Sequence, residues 1–126
     1  MTYLLDVSAL MALLWKTHAH NQRVSEWEDG LDLAVCPLSE LGFVRISTQA
    51  VYGLSVEDAR KALKDWKTKR HPAFVPCDLA VLDTDAPSAG SKTTDFYLAS
   101  LADAKGMRLA TLDQSINHRA AFVIPN

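Results

Sequence analysis

The chain offers almost no cysteine chemistry. Its two cysteines, Cys36 and Cys77, each stand beside a proline, and neither has a Cys or His partner at zinc-finger spacing. That excludes a thiolate metal centre as the working site, and buried free thiols are expected instead. Long hydrophobic runs are missing as well. The apolar stretch at residues 9–15 is too short to cross a bilayer, and no basic leader with a cleavage site accompanies it. A cytoplasmic protein with no membrane association is the expectation. Positive charge is not in excess either: the formal net charge is −2, which excludes a protein that grips nucleic acid by bulk charge alone, since phosphate binding is dominated by Lys and Arg. Internal repeats, low-complexity segments and linkers are also lacking.

What is present fits one soluble domain over residues 1–126. Apolar residues make up 48% of the chain and charged residues 22%, close to the globular average and enough to build a core at this length. The basic residues are unevenly spread. Arg60, Lys61, Lys64, Lys67, Lys69 and Arg70, six of the thirteen, fall within eleven positions.

Along the chain, short apolar strands alternate with helices. Strands are predicted at residues 3–5, 33–36, 73–75, 109–112 and 122–124. Ser8 is placed to cap a first helix reaching about residue 15, and a second helix over 21–29 stops at Gly30. Pro37 closes the second strand and Ser39 opens the next helix. Ser55 with Asp58 reads as a capping box for a helix to about residue 69, whose one face carries Ala59, Ala62, Leu63 and Trp66 and whose other face carries the basic stripe. Thr94 can cap a helix over 95–105, with Gly106 beyond its end. Residues 86–92 are a surface loop. This β-α order predicts an α/β fold with a parallel sheet covered on both faces and ligands gathered at the carboxyl ends of the strands.

Four acids fall where such a rim would be. Asp6 ends the first strand, Glu40 lies in the first turn of the helix after the second, Asp95 begins a helix, and Asp113 closes the strand at 109–112. Carboxylates gathered in one pocket repel by about 4 kcal/mol per pair at ~4 Å and an effective dielectric of ~20. Protons, an arginine or hard divalent cations can relieve this, and an all-oxygen donor set favours Mg²⁺ or Mn²⁺ over zinc. Such a site would hydrolyse phosphodiesters by in-line attack of a metal-activated water. Taken singly, Asp6 and Asp113 could equally be solvated loop residues, and Glu40 and Asp95 ordinary helix-start acids. Ser8 and Thr111, each two residues from an acid, could bond a carboxylate, a metal-bound water or a backbone amide. Arg45 could partner an acid or serve the end of its helix.

Four segments, LLDVSALMALLW, CPLSELGFVR, TTDFYLASLA and LATLDQSI, together resemble the PIN-domain family, particularly the VapC-type toxins of bacterial toxin–antitoxin pairs, and a THAHN turn ahead of a helix containing Trp27 is similar to theirs. The resemblance covers nearly the whole chain. It implies a three-layer α/β/α fold with a short parallel central sheet, Mg²⁺ or Mn²⁺ dependence, endonucleolytic cleavage of RNA, a cognate antitoxin that occludes the site, and a homodimer. Carried over by motif, the catalytic and metal-holding acids are Asp6, Glu40, Asp95 and Asp113, with Ser8 and Thr111 orienting them. Residues 78–90 match no family element, which leaves Asp83 and Asp85 outside the site.

Two other readings compete. A haloacid-dehalogenase-like phosphatase also ends its first strand in Asp, but needs a second Asp where this chain has Ser8. A non-catalytic module would use the acids to receive a partner's arginine and the basic helix to hold RNA. Arg60, Lys61, Lys64 and Lys67 could guide an RNA backbone toward the acids; a solvated helix face is the plainer fate of such a run.

Overall fold

The computed structural model describes residues 1–126. Five strands, β1 (Thr2–Leu5), β2 (Asp32–Val35), β3 (Ala73–Phe74), β4 (Arg108–Thr111) and β5 (Ala121–Val123), form one sheet in the order β3-β2-β1-β4-β5. Every pairing is parallel. Five helices complete the chain: α1 (Val7–Leu14), α2 (Asn21–Trp27), α3 (Pro37–Ser47), α4 (Val56–Arg70) and α5 (Thr93–Ala104).

The period-two pleat explains why there are two cores. Leu5, Leu33, Val35 and Ala110 point to one face, where Leu10, Val24, Phe43 and Leu63 from α1 to α4 cover them. Their neighbours Leu4, Ala34 and Leu109 point to the other, where Tyr97, Leu98 and Leu101 of α5 pack. The result is the expected three-layer α/β/α arrangement, in which strands buried on both faces read as continuous apolar runs. No helix is long and apolar enough to cross a membrane. Cys36 is buried and Cys77 half-buried, both as free thiols.

Strand order reverses at β1, which has β2 on one side and β4 on the other. The carboxyl ends of β1 and β4 therefore frame the switch point where α/β sheets bind ligands. Two further features fix the chain there. At Gly42 in α3, a Cβ would run into Val7 Cγ2, so the glycine allows α3 to lie against the first turn of α1. The α4 helix is capped by Ser55, whose Oγ accepts the Asp58 N–H at 3.0 Å, and ends at His71 in the left-handed region.

Several helix starts differ from the sequence expectation. Asp6, not Ser8, caps α1: its carboxylate accepts the Ala9 N–H at 2.8 Å, and the helix begins at Val7. Pro37 occupies the first turn of α3, where its missing N–H costs nothing, so this helix starts two residues before Ser39. Ser39 is instead buried and donates to the Leu5 carbonyl at 2.6 Å. The last helix starts at Thr93, with no side-chain cap, and α2 stops at Trp27 ahead of the Gly30 turn. Residues 78–90 are loop apart from a short 3₁₀ turn at Val81–Asp83 and the first residue of a second, Gly90–Lys92.

Candidate active site

Asp6 leaves β1 directly into α1 and is only 5% exposed. A buried carboxylate must be hydrogen-bonded to be tolerated. Its Oδ1 accepts the Ser8 hydroxyl at 2.7 Å and the Ala9 N–H at 2.8 Å, and Thr111 bonds the same carboxylate. Ser8 reaches across to the end of β4, and Thr111 is the last residue of that strand. Ser8 Oγ accepts the Leu112 N–H at 3.2 Å, and Thr111 Oγ1 accepts the Asp113 N–H at 3.0 Å. Two short relays thus run from consecutive backbone amides through hydroxyls to Asp6, stitching the ends of β1 and β4 together.

Burial pushes the Asp6 carboxyl above its ordinary range; the bonds from Thr111, Ala9 and Ser8 oppose that rise, and the Asp95 charge adds to it. Asp95, in the first turn of α5, is also raised by burial, with Lys92 opposing and Asp113 reinforcing. Asp113 goes the other way. Its Oδ1 accepts the Ser115 hydroxyl at 2.6 Å and the Ser115 N–H at 2.8 Å, and these bonds, followed by Lys92, hold it below the usual range. Lys92 Nζ stands 3.3 Å from Asp113 Oδ2 and 2.5 Å from Ser115 Oγ.

Asp6, Ser8, Asp95 and Asp113 line one open cleft of about 370 Å³, together with Val7, Met11, His18, Ile46, Tyr52, Thr94 and Leu98. Thr111 lies behind its wall, wholly buried. Glu40 is not among the lining residues; it pairs with Lys67 of α4. No three Asp, Glu, His or Cys side chains converge closely enough to cage an ion by themselves. The donor set is therefore one or two carboxylates at a time, with room for water, which suits a hard cation such as Mg²⁺ that keeps several waters and is completed by substrate phosphates. Burial is the main cause of the raised Asp6 and Asp95 carboxyls, with the charge of a neighbouring acid adding to it; a cation beside them would favour their ionised forms.

The basic stripe on α4 does not face the cleft as a unit. Arg60 and Lys64 project into solvent, Lys61 pairs with Asp65 at 2.9 Å, Lys67 meets Glu40 and lies 5.2 Å from the Phe74 ring centre, and Arg70 bonds Glu28 at 2.5 Å. None of them lines the cleft. Arg45 is exposed in the last turn of α3. Asp83 is exposed, and Asp85 joins His118 and Arg119 at 2.6 and 3.1 Å; neither Asp83 nor Asp85 lines the cleft.

Sequence reasoning passed over Lys92, Ser115, His18 and Tyr52. The first two sit on loops flanking Asp95 and Asp113, and only the fold brings Lys92 to Asp113, 21 positions away. His18 belongs to the THAHN turn, so a signal was present, though it reads as a turn and not as a wall of the site.

No protein-family model matches the chain. Curated relatives do. The chain is 37% identical to "Ribonuclease VapC38" of Mycobacterium tuberculosis (strain ATCC 25618 / H37Rv), covering 90% of this chain and 86% of that protein. It is 34% identical to "Ribonuclease VapC44" of the same strain, covering 92% and 89%, and 33% identical to "Ribonuclease VapC39", covering 96% and 95%.

Proposed function

From the premise that the chain belongs to the VapC ribonuclease family of PIN-domain proteins, we propose that it is a Mg²⁺- or Mn²⁺-dependent endoribonuclease, the toxin of a toxin–antitoxin pair. The observation that carries the reading is that Asp6, Asp95 and Asp113, from β1, α5 and the end of β4, line one cleft at the sheet's switch point. One or two of these three acids would hold the cation at a time, with water completing its shell, and Glu40 would join them only by leaving Lys67. Held there, a divalent cation would offset the charge of Asp6, Asp95 and Asp113 and supply Lewis-acid activation of a phosphate and of water.

The remaining work falls to the chain. Ser8 and Thr111 fix the Asp6 carboxylate in one orientation through the two relays from residues 112 and 113, which keeps a buried negative charge aimed at the cleft. Lys92 offsets the charge of Asp113, lessening the repulsion that an approaching phosphate meets. Arg60 and Lys64, solvent-facing on α4, would guide the RNA backbone, and Lys61 and Lys67 would join them on leaving Asp65 and Glu40. The antitoxin would cover the cleft, and a second copy of the chain would complete a homodimer. Leu41 of α3 and Val56 of α4, 66% and 56% exposed, are apolar surface available to such partners. Acting on RNA, the protein would work in the cytoplasm.

The ends left on RNA test this chemistry. Attack by water that expels the 3′-oxygen leaves a 5′-phosphate and a 3′-hydroxyl, whereas attack by the RNA's own 2′-hydroxyl expels the 5′-oxygen and leaves a cyclic phosphate. End-selective ligation of fragments made by the purified protein should recover 5′-phosphates, and Asp95→Asn should abolish the fragments. Cyclic phosphates that persist in the mutant would contradict the reading.

A further inference from the structure

The cleft has two unlike ends. One carries the acids; the other is walled by Met11, Ile46, His18 and Tyr52. The helix α1 runs between them: Asp6 caps its start, Met11 lies mid-helix, and His18 follows in the turn after its end. Eight residues of helix span about 12 Å, so the cleft is an extended groove along α1 and the far end accommodates a part of the substrate next to the reacting phosphate.

The chemistry of that end is specific. The His18 ring is oriented by its own turn, because Nδ1 accepts the His20 N–H at 3.0 Å. That leaves Nε2 as the outward polar tip, and it has no hydrogen-bond partner in the protein. Tyr52, in the loop between α3 and α4, is held from behind by Trp15, with ring centres 5.0 Å apart. Trp15 is anchored in turn by its indole N–H, which donates to Ser47 Oγ at 3.1 Å. The Tyr52 hydroxyl likewise has no partner. Two rings with free polar tips, held in place from outside the cleft, border an apolar floor. Burial and the neighbouring His20 lower the His18 pKa, so the ring is neutral at pH 7 and presents a face and a hydrogen-bonding edge in place of a charge. Neutral rings of this kind are what single-stranded RNA recognition uses, stacking unpaired bases and reading their edges.

We propose that His18 and Tyr52 form a nucleobase subsite, holding an unpaired base of the RNA beside the phosphate that the acids address. The proposal rests on the ribonuclease reading and adds which part of the RNA is read and by which residues. It makes the groove specific for unpaired segments, since a base locked in a duplex is not free to reach the rings that line the cleft.

The test separates base recognition from phosphate binding and from catalysis. Binding is measured by fluorescence anisotropy on the Asp6→Asn protein, with a labelled single-stranded oligoribonucleotide and with an oligomer of the same length and backbone that carries abasic positions. The intact oligomer should bind about tenfold tighter or more, the loss expected when one base–aromatic stack is removed. His18→Ala should bring it down to the abasic level while leaving the abasic oligomer's binding unchanged, and His18→Phe, which keeps a ring, should restore most of the difference. Tyr52→Leu should act in the same direction, with unchanged melting temperature showing that the fold is intact. Equal binding of the two oligomers, or equal weakening of both by His18→Ala, would overturn the subsite. The ribonuclease reading fails separately: base-dependent binding without RNA cleavage by the wild-type protein supports the subsite and removes the enzyme, and cleavage without base-dependent binding does the reverse.

Discussion

Replacing Asp6 with Asn should make the protein more stable when metal is absent and blind to metal when it is present. The amide keeps the shape of the carboxylate, and its oxygen can still accept from Ser8 Oγ and the Ala9 N–H, now at 2.7 and 2.8 Å. Asn and Asp are equivalent helix caps, so the start of α1 is preserved. What disappears is a negative charge that is 5% exposed. The sign follows from its pKa: burial raises it above the unfolded value, the folded state therefore holds the proton more tightly, and the stabilisation present at low pH is lost as pH rises through the folded pKa. At neutral pH the ionised Asp6 costs stability that Asn does not. A cation bound to the wild-type acids acts in the opposite sense. Present at one hundred times its Kd, it adds about 2.7 kcal/mol, and for a chain of this length each kcal/mol moves Tm by roughly 3–5 °C. Thermal unfolding followed by circular dichroism, in EDTA and then with increasing MgCl₂ or MnCl₂, should show the wild type rising by about 8–14 °C at saturation. Asp6→Asn should start higher and rise little. A wild type indifferent to both metals, or a mutant that responds equally, would refute the reasoning.

Three further outcomes follow from the same geometry. Ser8→Ala cuts one relay and leaves the Leu112 N–H and one Asp6 acceptor site short of a partner; unfolding in urea should show a destabilisation of about 1–3 kcal/mol, together with slower RNA cleavage. Lys92→Met removes the ammonium that helps hold the Asp113 and Asp95 carboxyls down, so carboxyl-detected NMR titration should find both pKa values higher than in the wild type; the stability that Asp113 loses as pH falls from its unfolded pKa through its depressed folded pKa then becomes smaller and is complete at a higher pH. Lys64→Glu, on the solvent face of α4, should weaken RNA binding and flatten its dependence on salt by about 0.7 for each phosphate no longer neutralised; an unchanged slope would assign this stripe to solvent.

The sheet was legible because parallel strands buried on both faces show as uninterrupted apolar runs, and Leu4–Leu5, Ala34–Val35 and Leu109–Ala110 are such runs. The rim was legible for a related reason: an acid that ends such a run must lie at the sheet's carboxyl edge. The helix starts were less so, because Asp6 and Ser8 are both competent caps two residues apart. Burial gave Asp6 the cap and left Ser8 to bridge Asp6 and Leu112, a hydrogen bond spanning 104 positions. Pairings of that range carry no local signal. The same holds for Glu40, which meets Lys67 27 positions away and so turns from the cleft that the other three acids line. His18 and Tyr52 lie in loops whose sequence reads only as turns, and their convergence is a product of how α1 and α3 pack.

The most direct measurement is cleavage of purified total RNA by the isolated protein with Mg²⁺, with Mn²⁺ and with EDTA, beside Asp6→Asn. Discrete fragments that appear with either metal and vanish both in EDTA and in the mutant are the predicted result. Fragments that persist in EDTA or in Asp6→Asn, or no cleavage under any of these conditions, would contradict a metal-dependent ribonuclease built on this cleft.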